Sequence, residues 1–110
     1  PGVLSLSIKE KSALFAAYMP FVKGGGLFIP TNKQYKMGEE VFMLLTLMED
    51  PAKLPVSGKV VWITPAGAHG GRTQGVGVQF AFNESGKMAQ NKIEGLLGGS
   101  LKSTRPTHTL

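Results

Sequence analysis

Hydrolysis, group transfer and metal catalysis each need a cluster of particular side chains, and few residues of this 110-residue chain could supply one. Its histidines are His69, in a glycine-rich loop, and His108, in the tail. A metal shared between them would draw its ligands from two distant segments, with no cysteine to assist. Solvated imidazoles are expected instead, because the neutral ring is stable in water and needs no partner. Ser85-Gly86-Lys87 imitates the end of a phosphate-binding loop, but that loop needs a glycine five residues before the Gly-Lys pair and a Ser or Thr after it. Ala81 and Met88 stand at those places. Ser57-Gly58-Lys59 fails in the same way, with Lys53 and Val60. Glu39-Glu40 and Glu49-Asp50 are carboxylate pairs, yet adjacent strand residues point to opposite faces and cannot share a substrate. They read as gatekeeper charges at the ends of an oily strand. No catalytic residue, cofactor site or metal site emerges, and a non-enzyme is expected.

Composition narrows the alternatives. The length suits one domain able to bury its own core, and the absence of cysteine excludes disulfides and suits a reducing compartment. No apolar run reaches the roughly 18–20 residues that span a bilayer, and the N-terminus lacks a signal pattern. A soluble, cytoplasmic monomer is the expectation. The net charge of +5 is concentrated at Lys23, Lys33 and Lys36 and at Lys102 and Arg105 in the tail. Such charge attracts phosphates, but the arginines are few and isolated, so a solvated surface is the plainer reading.

The elements that must position any site follow from periodicity. Leu4, Leu6 and Ile8 share one face of a first strand. Ser12 to Met19 is too short and evenly apolar to assign to helix or strand, and Pro20 pushes Met19 towards an extended form. Gly24-Gly25-Gly26 marks a sharp turn into a strand from Leu27 to Thr31, since glycine alone takes φ > 0 at no steric cost. Val41 to Met48 is apolar on both faces, which suits a covered strand or one that offers a face to a partner. Another strand runs from Pro55 to Thr64, a glycine-rich loop follows from Ala66, and Val76, Val78, Phe80 and Phe82 alternate with Gly77, Gln79 and Ala81. From Asn83 the period changes: Ala89, Ile93, Leu96 and Leu97 fall on one helical face, with Asn83 or Ser85 as N-cap and Gly98-Gly99 as stop. The pattern predicts an all-β domain with a C-terminal helix, a small antiparallel barrel over residues 1–97, and a flexible tail over 98–110.

Gly25-Gly26-Leu27-Phe28-Ile29, Val60-Val61-Trp62-Ile63 and Gly75-Val76-Gly77-Val78-Gln79-Phe80, in that order and spacing, resemble the PilZ domain. The resemblance covers roughly residues 3–97 and implies a Greek-key type barrel. It also implies two motifs for cyclic di-GMP, RxxxR near the first strand and D/N-x-S-x-x-G at the glycine turn. Gly26 matches the final glycine of the second, but Phe21 stands for the Asp or Asn and Lys23 for the Ser. Val3 to Met19 contains no arginine, and lysine does not reproduce the forked grip of guanidinium. Tyr18-Met19-Pro20-Phe21, Gly26 to Lys33 and Val60 to Pro65 look most like the ligand-silent, stand-alone branch of the family that serves type IV pilus biogenesis and twitching motility. That likeness implies an adaptor between a pilus-extension ATPase (PilB type) and a regulator with degenerate GGDEF and EAL domains (FimX type).

An interaction module must show apolar surface that its own core does not need. Tyr18 and Trp62, with Met19 and Ile63 beside them, are the candidate protein-binding residues, because Tyr and Trp combine large apolar area with a polar handle. The alternative is that Trp62, with Val56 and Val60 on the same face, simply fills the barrel. Two other functions stay open: a cyclic di-GMP receptor, or a basic barrel that stacks single-stranded nucleic acid on Phe28, Phe42, Trp62 and Phe80.

Overall fold

The computed structural model describes residues 3–67, 70, 72–102 and 107–109. Strand β1 (Val3–Ile8) leads into helix α1 (Lys11–Ala17), which settles the ambiguous apolar stretch as helix. It stops at Ala17, and Tyr18 is already extended at φ −70° and ψ 139°, one residue before Met19, the position that Pro20 itself keeps out of helical geometry. The chain then turns through Gly24 and Gly25, at φ 82° and 79°, into β2 (Gly26–Pro30). The next strands are β3 (Glu40–Leu47), β4 (Lys53–Thr64) and β5 (Gly75–Phe80), followed by helix α2 (Glu84–Leu97) and a 3-10 turn (Gly98–Lys102).

The strands form one mixed sheet in the order β1-β3-β4-β5-β2, curved into a half-barrel with β1 and β2 at its two edges. Pairing is antiparallel for β3 with β4, β4 with β5 and β5 with β2, as expected. β1 differs: it runs parallel to β3, from Val3 opposite Phe42 to Ile8 opposite Leu47. Between them the chain passes through α1 and β2, and so long a crossover lets β3 return in the direction of β1.

The concave face is the main core. β3 contributes Val41, Met43, Leu45 and Leu47, β4 contributes Val56 and Val60, and β5 contributes Val76, Val78 and Phe80. Helix α2 covers them with Ala89, Ile93 and Leu97, all fully buried, while Leu96 packs at the margin. The helix starts where the Asn83 carboxamide oxygen accepts from the Gly86 amide at 2.9 Å. It ends at Gly98, whose φ of 50° favours glycine. An ion pair between Lys92 and Asp50 ties α2 to the β3–β4 turn.

Of the stretch expected to be a flexible tail, residues 103–106 and 110 lie outside the described set. Gly98–Lys102 forms a 3-10 turn. Thr107, His108 and Thr109 lie back against the domain: the His108 amide donates to the Ala16 carbonyl at 2.9 Å, and Thr109 is 1% exposed.

Candidate protein-binding surface

In an unbroken strand Trp62 would follow Val60 into the barrel. A β-bulge prevents this. Val60 stands opposite Val78, but Trp62 stands opposite Gly77, so Val61 is the extra residue and every side chain after it changes face. Trp62 therefore shares the outer face with Gly77 and not the core face with Val56 and Val60. Its indole Nε1 donates to Thr64 Oγ1 at 2.8 Å, two residues along the same face.

Gly77 is also the register partner of Phe28 on β2, so Phe28, Gly77 and Trp62 form one cross-strand row over β2, β5 and β4. The glycines of β5 are what make room for it. A Cβ at Gly77 would come within 2.7 Å of Met19 Sδ and of Trp62 Cβ, and one at Gly75 within 2.6 Å of the Phe28 ring. Met19 thus fills the space between the two aromatic residues. At one end Phe21 meets Trp62 edge-on, with ring centroids 6.3 Å apart. At the other His108 stacks on Phe28 at 4.9 Å. The outer face consequently holds a second, smaller apolar cluster, separate from the main core.

The residues expected at a partner surface divide accordingly. Tyr18 and Met19 are withdrawn from it, because both are buried: Tyr18 belongs to the main core and Met19 lies beneath the row. The polar handle of Tyr18 is also occupied, since its hydroxyl donates to Glu94 Oε2 at 2.5 Å. Burial, and then the Glu94 carboxylate, push the phenol well above its ordinary range. Trp62 is half-buried and stays available. Ile63 is 41% exposed, but it pairs with Val76 and alternates away from the face that carries Trp62. Phe21, 47% exposed, takes the place beside Trp62 that sequence reasoning had given to Tyr18.

The degenerate ligand motif lies at this same turn. Gly26 keeps its steric role, for a Cβ there would sit 2.6 Å from the Val78 carbonyl. Phe21 presents a ring where the motif has a carboxylate. Lys23 stands where the motif has a hydroxyl, with its backbone carbonyl held by Gln79 Nε2 at 2.9 Å and its ammonium 5.9 Å from the centre of the exposed Phe82 ring. These groups offer a flat apolar rim with a cation beside it.

The stacking platform for nucleic acid does not form as expected. Phe28 and Phe80 are buried, on opposite faces of the sheet, and Phe42 lies on β3, away from the row. Among the described residues no group of His, Cys, Asp or Glu could hold a metal, and no helix is long and apolar enough to cross a membrane. His69 lies outside the described residues. His108 is not the solvated ring expected, since it is partly buried against Phe28.

Comparison with known proteins agrees with this architecture. Residues 3–99 match the PilZ domain family. No curated protein matches the chain.

Proposed function

Since the chain belongs to the PilZ domain family, a family of binding and adaptor domains tied to cyclic di-GMP, we propose that this member is a non-catalytic adaptor for type IV pilus biogenesis and twitching motility. In this reading it links a pilus-extension ATPase to a regulator with degenerate GGDEF and EAL domains. The regulator, not this chain, senses the nucleotide.

One observation carries the reading: at the glycine turn, where the ligand motif calls for a carboxylate and a hydroxyl, the chain presents Phe21 edge-on to Trp62 and a lysine. An exposed ring against a half-buried indole, over a buried apolar base, has the anatomy of an interface anchor, in which aromatic residues supply most of the binding energy. The same substitutions weaken any grip on a bis-phosphate with guanine bases, since no arginine fork stands in Val3 to Met19.

The test has two arms. Tagged protein is used to capture partners from a piliated bacterium, with Trp62→Ala and Phe21→Ala alongside, and the domain is titrated calorimetrically with cyclic di-GMP. Recovery of the ATPase or the regulator by the unaltered chain alone, with no heat from the nucleotide, is the expected result. Micromolar nucleotide binding, or capture that ignores both substitutions, would overturn the proposal.

A further inference from the structure

The half-barrel leaves an opening between its edge strands, and α1 does not fill it. A cleft of about 400 Å³ remains there, bounded by Leu6 and Ile8 of β1, Ala13 and Ala17 of α1, and Phe28 and Pro30 of β2. Its volume lies in the range of sites that hold peptides or small molecules. His108 stands on its rim, so the chain's own C-terminal segment is the neighbour that partly closes it.

The contacts of that segment are those of a bound peptide. Its backbone is read three times: the His108 amide donates to the Ala16 carbonyl at 2.9 Å, and Arg72 Nη1 donates to the carbonyls of His108 and Thr109 at 2.9 and 2.8 Å. One side chain is read by shape, the imidazole lying 24° from the plane of the Phe28 ring. The third position is read by burial, since Thr109 is 1% exposed. There the fit is imperfect, because Thr109 Oγ1 is buried without a hydrogen-bond partner among the described residues. A buried hydroxyl that gains no bond has lost its water for nothing, so an apolar side chain of the same shape would fit better.

We propose that Ala16, Phe28 and Arg72, beside the cleft between β1 and β2, form a binding site for an extended peptide along its rim, and that the segment Thr107 to Thr109 occupies this rim site in cis. The occupant it selects carries a planar side chain followed by a β-branched residue, with valine preferred to threonine in the second place. Arg72 recognises two successive backbone carbonyls whatever the sequence, and Phe28 selects the ring. A segment of another protein with this chemistry gains the site only by displacing the strap, and the less-than-ideal threonine keeps that displacement easy. This inference stands apart from the adaptor reading, since it concerns the Phe28 end of the row and none of its contacts involves Phe21 or Trp62.

The experiment uses the full chain. In the unaltered protein the His108 amide should exchange slowly and its ring protons should be shifted by the Phe28 ring current. Arg72→Ala should speed that exchange while the circular dichroism stays unchanged. A fluorescent peptide with the sequence of residues 105–110 is then titrated against the unaltered chain and against a full-length variant carrying Thr107→Gly, His108→Gly and Thr109→Gly. The peptide should bind the variant at least tenfold more tightly, adding Arg72→Ala should abolish that binding, and valine at the Thr109 position of the peptide should tighten it. Equal binding to both proteins, absence of binding to both, or rapid exchange of the His108 amide in the unaltered chain would each overturn the proposal.

Discussion

The Tyr18 hydroxyl donates a 2.5 Å hydrogen bond to the Glu94 carboxylate, joining the end of α1 to α2 across 76 positions of sequence. A buried phenol needs such a partner, and a carboxylate acceptor makes the bond stronger than a neutral one. Tyr18→Phe should destabilise the domain by about 1.5–3 kcal/mol, read from the midpoint of urea unfolding.

That bond also sets a pH dependence. The phenol is neutral in the fold and its pKa is raised, by burial first and by Glu94 second. Its contribution is therefore fully present below about pH 10, the ordinary tyrosine value, and is lost as the pH rises through the elevated value of the folded state. The stability gap between the unaltered protein and Tyr18→Phe should be constant from neutrality to about pH 9 and narrow above about pH 10. A gap that stays constant to pH 11 would refute the linkage.

Two glycines should respond oppositely to alanine. Gly77→Ala puts a methyl 2.7 Å from both Met19 Sδ and Trp62 Cβ, and overpacking of this kind costs about 1–3 kcal/mol. Gly95→Ala lies inside α2, and apart from its chain neighbours and the helix's own backbone no atom stands within 4 Å of the new methyl, so helix propensity alone should stabilise by about 0.5–1 kcal/mol. Thermal unfolding of the two variants checks both signs.

Trp62→Ala removes a half-buried ring from the outer cluster and leaves the main core intact. A loss of roughly 1–2 kcal/mol is expected, with a folded, soluble domain that no longer captures its partner. A cooperative melt by circular dichroism together with lost capture is the expected pair of results. Collapse of the melt would show that the row supports the fold itself.

Restoring the two altered motif positions should not restore a ligand. Phe21→Asp with Lys23→Ser replaces the carboxylate and hydroxyl but supplies no arginine pair, and charge-assisted forks are what such phosphates and guanine edges require. Calorimetry at tens of micromolar protein should give no cyclic di-GMP heat for either the unaltered chain or this double variant.

The elements were legible where one local rule decided them. Alternation marked β5, the triple glycine marked the turn at Gly24 and Gly25, and Asn83 followed by Ala89 and Ile93 marked the start and the buried face of α2. The parallel edge of β1 was not legible, because pairing direction depends on where the crossover returns. Nor was the face of Trp62: the bulge at Val61 breaks the period by one residue, and nothing in Val60-Val61-Trp62-Ile63 announces it. The indirect signal was on the neighbouring strand, where glycine at 75 and again at 77 leaves one face bare for side chains from elsewhere. The burial of Tyr18 and of His108 was not legible either, for a shared reason. Their partners, Glu94 for one and Phe28 and Arg72 for the other, are remote in sequence, and burial between distant segments has no local period.

The change of face at Val61 also decides what the protein's intrinsic fluorescence can report. Trp62 is the sole tryptophan, and it lies outside the main core, against Phe21 on a solvent-facing surface. Its emission therefore responds to events at the outer row before it responds to the state of Val41, Met43 or Ile93. A shift in wavelength during a titration registers an occupant arriving beside Phe21. An unfolding curve followed by the same signal records the loss of the row, and needs the peptide circular dichroism beside it to say when the barrel itself has opened.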